Sequence, residues 1–366
     1  MPSKLFSPLA LREIVLPNRV VVSPMCQYSA ADGIPADWHL VHLGQFAQSG
    51  PGLVFVEATA AEPDGRITLG CTGLYDDACE AAFARIVAFI KSVGGSRVGI
   101  QLGHAGRKGS TIEPWLGGGL IEGNDAWRTV SASDVPYLPG WPAPVPMDDA
   151  AMRRTIGAFA AAAHRADSAG FDVVQLHMAH GYLLHQFLSP ITNRRTDGYG
   201  GSLENRMRFP LEVFEAVRRA FPPGKPVMVR ISATDWIDGG WDIAQSVELC
   251  RALKAAGCDM IDVSSGGLDQ RQVINVGPGY QVGFAETIRR EADMPTMAVG
   301  QITEPIQAET IIATGQADLV ALARGMLWNP RWAWYAAVAL GEDIALPAPY
   351  ARSNPALRAK PFVKRM

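Results

Sequence analysis

A short apolar run recurs along this chain, each time behind a glycine. Ser49-Gly50-Pro51-Gly52 leads into Leu53-Val54-Phe55-Val56-Glu57, and Ala169-Gly170-Phe171-Asp172 leads into Val173-Val174-Gln175-Leu176-His177. Ala256-Gly257-Cys258-Asp259 leads into Met260-Ile261-Asp262-Val263-Ser264, and Thr314-Gly315-Gln316-Ala317-Asp318 into Leu319-Val320-Ala321-Leu322-Ala323. Runs of this length without polar alternation predict strands covered on both faces, and each glycine can take the left-handed conformation that ends a helix. The segments between them have the other period. Met152, Ile156, Phe159 and Ala163 recur at helical spacing before Gly170, as do Ile243, Val247, Cys250 and Leu253 before Gly257. Thr303-Glu304-Pro305 predicts a further helix start, with a cap and a proline in the first turn. Val20-Val21-Val22-Ser23, Val98-Gly99-Ile100-Gln101, Val227-Met228-Val229-Arg230 and Thr296-Met297-Ala298-Val299 complete the strand set. About eight strands alternating with helices predict an α/β fold, a (β/α)8 TIM barrel. An open doubly wound sheet is the competitor, but no Gly-x-Gly-x-x-Gly turn follows the first strand.

The barrel is expected over residues 1–346 as one domain. Residues 109–147, rich in Gly, Pro and Trp, form an insertion after the third strand and are expected to act as a lid over the active site. Residues 347–366 are a tail with a basic end, Arg358, Lys360, Lys364 and Arg365. A chain of 366 residues, 48% hydrophobic, can bury a large core. A net charge of -3 without basic runs argues against a nucleic-acid partner, and no apolar stretch is long enough to span a bilayer. The scattered Cys26, Cys71, Cys79, Cys250 and Cys258 include no Cys-x-x-Cys pair, which fits a reducing cytoplasm and offers no zinc or iron–sulfur framework.

In such a barrel the chemistry lies at the carboxyl ends of the strands. Those ends carry Ser23-Pro24-Met25-Cys26, Ala58-Thr59, Gln101 with His104, His177 and His180 with Tyr182, Arg230, Ser264-Ser265-Gly266-Gly267, Gly300, and Ala323-Arg324. Two imidazoles and a phenol where a core strand emerges can hold a carbonyl oxygen and deliver a proton. The same pair could ligate a metal, for which no further acidic or thiolate ligands are found, or be satisfied core residues. A guanidinium ending a core strand, Arg230, calls for an anion. Gly300 and Arg324 follow the last two strands, where barrels often bind phosphate. Together with the amide of Gln101 they point to a planar, phosphorylated cofactor. A barrel lyase or isomerase without a redox cofactor, and a non-catalytic binding scaffold, stay open at this level.

A longer pattern narrows the choice. His185-Gln186-Phe187-Leu188-Ser189-Pro190 continues as Asn193-x-Arg195-Thr196-Asp197-x-Tyr199-Gly200-Gly201-Ser202-Leu203-Glu204-Asn205-Arg206-x-Arg208-Phe209. With Pro24-Met25-Cys26-Gln27-Tyr28, Asp37-Trp38-His39, Gln101-Leu102-x-His104-Ala105-Gly106-Arg107-Lys108 and Pro278-Gly279-Tyr280-Gln281-Val282, it resembles the Old Yellow Enzyme family of flavin-dependent ene-reductases. Its bacterial subgroup like YqjM and xenobiotic reductase A is the nearest match. The resemblance implies non-covalent FMN, reduced by NADPH or NADH, and substrates that are small activated alkenes. It implies Ser23, Pro24, Met25, Cys26, Ala58, Gln101, His177 and Arg230 around the flavin ring, and Gly300, Ala323 and Arg324 at its phosphate. His177 and His180 would hold the substrate oxygen, Tyr182 would give the proton, Cys26 would tune the flavin and Tyr28 would line the pocket. Arg352 would enter a neighbouring subunit's site within a homodimer or homotetramer.

Overall fold

The computed structural model describes residues 2–343 and 346–355. Eight parallel strands close into a barrel in sequence order: β1 (Val20–Val22), β2 (Leu53–Ala60), β3 (Arg97–Gly103), β4 (Val173–Met178), β5 (Val227–Ser232), β6 (Met260–Ser264), β7 (Thr296–Val299) and β8 (Leu319–Leu322). Each pairs with its successor, and β8 returns to β1 through Val320 opposite Val20. The expected strands are all present. The glycines ahead of them, Gly50, Gly170, Gly257 and Gly315, have φ of 77°, 90°, 92° and 77°, so each turns the chain out of a helix through the left-handed region.

The helices on the outside are α1 (Asp37–Ala47), α2 (Asp77–Val93), α3 (Asp149–Ser168), α4 (Leu203–Ala220), α5 (Ile243–Ala255), α6 (Val282–Glu291), α7 (Pro305–Ala313) and α8 (Trp332–Ala339). Asp148, Ser202 and Asp242 cap α3, α4 and α5 by accepting from the third backbone N–H beyond them. One cap differs from expectation. Proline opens α7 as foreseen, but Glu304 holds the cap position without a side-chain bond, and Thr303 lies outside the helix.

Two apolar layers result. The larger lies between strands and helices; the smaller fills the barrel floor with Val21, Leu53, Phe55, Val173, Met228, Met260, Met297 and Leu319. An antiparallel hairpin, Leu9–Leu11 with Ile14–Leu16, plugs the floor through Leu11 and Leu16. Leu9-Ala10-Leu11 and Ile14-Val15-Leu16 are apolar at every position, without the alternation of a half-buried strand, and no Asn-Gly or Asp-Gly marks the turn; Arg12 itself takes φ 51°. The insertion at 109–147 follows β3 as expected and is not structureless. It contains the single turns Pro114–Leu116 and Gly123–Asp125 and a two-residue parallel pair, Val130–Ser131 with Val145–Pro146. The basic residues Arg358, Lys360, Lys364 and Arg365 lie outside the described residues.

Candidate active site

The interior of the barrel changes character with height, because every second residue of a strand faces inward. Val173 on the floor is followed upward by Gln175 and His177; Met228 by Arg230 and Ser232; Met260 by Asp262 and Ser264. A buried polar layer thus sits on an apolar floor. Gln101 Nε2 donates to Gln175 Oε1 at 2.6 Å, and Gln175 Nε2 donates to Asp262 Oδ2 at 3.2 Å. Asp262 faces Arg230 Nε at 3.4 Å, and Arg230 donates from its outer nitrogen to Ser23 Oγ at 3.1 Å. Arg230 therefore has a carboxylate of its own. Burial pushes the Asp262 carboxyl above its usual range, against Arg230 and Gln175, which lower it. Arg230 Nε and Asp262 Oδ1 are left without a hydrogen-bond partner. Gln175 and Asp262 were not expected as site residues, although each stands out as the polar member of an apolar run.

Above this layer His177 and His180 meet. His177 Nδ1 accepts from the Ala179 N–H at 3.2 Å, which places the proton of the neutral ring on Nε2. That nitrogen is 3.3 Å from His180 Nδ1, and His180 Nε2 is 2.7 Å from Ser264 Oγ. Burial first, then the charge of Arg230, holds both imidazoles well below their usual 6.5, so both are neutral. His180 takes φ 58° and is fixed there by its N–H on Ser232 Oγ at 2.9 Å. Tyr182 packs edge-on against His177, ring centres 4.8 Å apart, and burial keeps its phenol well above 10. Tyr28, Ser110, His180, Trp236 and Gln301 are all non-glycine residues with positive φ in loops that follow strands, so backbone strain collects at this end of the barrel.

The long motif from His185 holds this loop rather than lining it. His185 Nδ1 accepts from the Gly181 N–H at 2.9 Å, and its other nitrogen faces Asp235 at 3.0 Å with both side chains fully buried. Gln186 donates to the Gly181 carbonyl at 2.7 Å. The Asp37-Trp38-His39 motif does the same for the loop after β1. His39 Nε2 faces Glu57 at 3.1 Å, Glu57 accepts from the Gln27 N–H at 2.9 Å, and Trp38 Nε1 donates to the Gln27 amide at 3.0 Å. Glu57 occupies the bulge of β2 between Val56 and Ala58 and escaped notice in the sequence. Burial, then Glu57, pushes the Cys26 thiol well up, so Cys26 is a neutral S–H beside Tyr28.

Two hollows open here. One, of about 380 Å³, runs from Arg230 and Ser264 past Gln281 and Gly300 to Ala323 and Arg324. A Cβ at Gly300 would lie 2.8 Å from Gln281 Nε2, so this turn admits no side chain without moving that amide. Arg324 is exposed and has no ion-pair partner among the described residues. The other joins Ala58, Cys71, His104, His177 and Tyr182. Glu62, Asp64 and His104 bring ligand atoms within 4.8 Å of one another, but Glu62 is already held by Thr155 at 2.5 Å and His104 at 3.4 Å. Arg352 is exposed on the turn Ala348–Ser353, which is tied back to α8 by Tyr350 against Trp334.

Residues 4–341 match the model of the NADH:flavin oxidoreductase / NADH oxidase family. The NADPH dehydrogenase of Bacillus subtilis (strain 168) is 43% identical over 354 residues, covering 96% of this chain and 99% of the relative. Morphinone reductase superposes with a TM-score of 0.77 at 29% identity, covering 96% and 92% of the two chains. A 2-naphthoyl-CoA reductase superposes at 0.83 with 22% identity; this chain covers 52% of it, and that likeness concerns the fold alone. No described helix is long and apolar enough to cross a membrane. By its barrel and by relatives that match it nearly end to end, the chain belongs to the NADH:flavin oxidoreductase / NADH oxidase family, as a flavin oxidoreductase of the Old Yellow Enzyme type in the YqjM-like bacterial subgroup.

Proposed function

We propose that the protein is an NADPH-oxidising ene-reductase that reduces the C=C bond of small α,β-unsaturated carbonyl or nitro compounds. The observation that carries this reading is the convergence of His177 Nε2 and His180 Nδ1, 3.3 Å apart, beside the Tyr182 phenol. The residues fit FMN, bound without a covalent link. Among the described residues, Arg230 and Asp262 each keep a polar atom unsatisfied under the hollow, and Arg324 has no ion-pair partner at its far end. Ser23, Pro24, Met25, Cys26, Ala58, Gln101, His177 and Arg230 would hold the ring, and Gly300, Ala323 and Arg324 the phosphate. Bound and reduced, FMN supplies the hydride that the alkene's β-carbon accepts. The Bacillus relative's name supports NADPH as the reductant.

The chain's own contribution is electrostatic and protic. A substrate oxygen entering between the two imidazoles takes the His177 Nε2–H and a proton on His180 Nδ1. Both donors strengthen as negative charge builds there, so they favour the transition state over bound substrate. Tyr182, neutral at every working pH, is the proton source for the α-carbon. Tyr28 lines the alkene's pocket, and Cys26 acts on the ring as a neutral thiol. The insertion at 109–147 covers the mouth as a lid, and Arg352 completes a neighbouring subunit's site in a homodimer or homotetramer.

Anaerobic titration of the yellow protein with NADPH, followed by 2-cyclohexenone, tests the reading. Bleaching by the first and recovery of colour by the second are expected. Tyr182→Phe should slow recovery by about a hundredfold or more while leaving bleaching nearly unchanged; equal slowing of both would remove Tyr182 as the proton source.

A further inference from the structure

The turn Gly106–Lys108 after β3 carries a lysine for which the chemistry above has no use. Lys108 Nζ donates to the His180 carbonyl at 2.9 Å and to the Gly267 carbonyl at 3.0 Å. It also stands over two aromatic rings, 4.8 Å from the centre of Tyr137 and 5.0 Å from that of Tyr182. Among the described residues no carboxylate pairs with it, and its charged neighbour is another cation, Arg107. Arg107 is itself spent on the carbonyls of Val135, Pro136 and Leu268. Carbonyl oxygens and π faces satisfy an ammonium's N–H groups but leave its charge without a counter-ion. The arrangement becomes balanced when an anion forms against it. Of the groups it touches, Tyr182 is the one that proton donation turns into an anion.

We infer that Lys108 is a positioning residue for Tyr182: its ammonium stabilises the phenolate left on proton donation, and its two carbonyl bonds set the phenol against the imidazole pair. This rests on the reading of Tyr182 as proton source. In the step, the Tyr182 O–H bond breaks and its electron pair stays on Oη. The electron pair at the substrate's α-carbon takes the proton and forms the C–H bond, and water returns a proton to Oη afterwards. The other titratable groups facing the phenol are Cys26, Tyr28, Cys71, Tyr137 and His177, all of them neutral near pH 7. Burial first, then Arg107, lowers the Lys108 amine to about 8. Its charge is therefore present below pH 8 and is lost as pH rises through that value.

The test uses the FMN-loaded protein, reduced anaerobically and mixed with 2-cyclohexenone in a stopped-flow instrument between pH 6 and 9.5. The wild-type reoxidation rate should fall through pH 8. Lys108→Met should be about tenfold slower at pH 7 and lack that fall, while Lys108→Arg should keep the rate through pH 9.5. Reduction by NADPH should change by less than about threefold in both. A readout independent of turnover is the ultraviolet titration of tyrosinate, with Tyr182→Phe as the blank. Tyr182 should ionise about one pH unit lower in Lys108→Arg than in Lys108→Met. A Met variant with the wild-type pH profile, equal losses in both half-reactions, or superimposable tyrosinate titrations would overturn the assignment. If Lys108→Met does not hold flavin, the wild type and the Arg variant decide the matter: both falling through pH 8 overturns it. Slow Tyr182→Phe beside a normal Lys108→Met removes Lys108 alone, whereas full reoxidation by Tyr182→Phe removes the donor reading beneath it.

Discussion

Ser264 is the residue whose removal should report most directly on the imidazole pair. Without substrate, His177 Nε2–H points at His180 Nδ1, so His180 carries its proton on Nε2 and donates to Ser264 Oγ at 2.7 Å. With a substrate oxygen between the rings, His180 must donate from Nδ1, and its Nε2 becomes an acceptor. A hydroxyl serves both states, accepting in the first and donating in the second. Its proton is available for this. The competing acceptor, Gln281 Oε1, lies 3.4 Å from Ser264 but already receives Ser265 Oγ at 2.6 Å. Ser264→Ala removes the donor that fixes the productive tautomer and leaves a buried ring nitrogen without a partner.

One such hydrogen bond is worth about 1–1.5 kcal/mol, or about five- to twelvefold in rate. The expected loss is of that size in alkene reoxidation, read by anaerobic stopped flow, with reduction by NADPH changed by less than about threefold. Ser264→Thr keeps the hydroxyl and should restore most of the rate. Ser265→Ala supplies a second arm: it frees Gln281 to draw the Ser264 proton away, and should give a smaller loss in the same half-reaction. Reoxidation of Ser264→Ala at the wild-type rate, or a loss in Ser264→Thr as large as in the alanine variant, would refute the tautomer exchange.

Three further outcomes are expected. Gly181→Ala puts a side chain on a residue at φ 73°, with its Cβ 2.5 Å from the Gly267 carbonyl oxygen; it should lower Tm and cut alkene reoxidation by about a hundredfold by displacing Tyr182 from His177. Cys26, a thiol pushed well up by burial and Glu57, should react with iodoacetamide at pH 8 at least about tenfold more slowly than free cysteine, which mass spectrometry of the labelled protein will show. His42 is lowered by burial from 6.5 to about 4. Its neutral form is the folded one, so stability is complete above pH 6.5 and declines as pH falls toward 4, by roughly 3 kcal/mol from this residue. Urea unfolding of wild type and His42→Phe at pH 7 and 5 should show the variant losing less on acidification.

The barrel was legible because its determinants are local. Each strand is a run of apolar residues, each helix a 3.6 period, and four of the eight strands follow a glycine, Gly50, Gly170, Gly257 or Gly315, that the structure places at positive φ. The hairpin under the floor was missed for the same reason. Its turn relies on Arg12 at φ 51°, a conformation imposed by packing and by the bonds from Arg12 to Asp259 and to the Pro223 carbonyl. Nothing near Arg12 in the sequence announces partners so far along the chain.

The site was legible as an inventory and not as a circuit. His177, His180, Tyr182, Arg230 and Gln101 could be read from their positions at strand ends, since height in a barrel follows from position along the strand. Which groups satisfy one another could not be read, because that depends on register between strands. Opposition of Asp262 to Arg230 and of Gln101 to Gln175 is set by the stagger of β3, β4, β5 and β6. That register changes the meaning of Arg230. Alone at a strand end it demands an anion from outside; paired with Asp262 it is a nearly neutral unit with hydrogen-bonding capacity left over. On the proposed reading, a cofactor held above it would meet hydrogen-bonding capacity from a charge already compensated. Lys108 is the reverse case. The sequence shows an ordinary lysine in an Arg-Lys pair, while in the fold no carboxylate among the described residues pairs with it and it stands over the phenol ring of Tyr182. Apart from the exposed Arg324, an uncompensated cation therefore stands over the Tyr182 ring; on the proposed reading of Tyr182 as proton donor, pH should act on the protonation of substrate sooner than on the binding of cofactor.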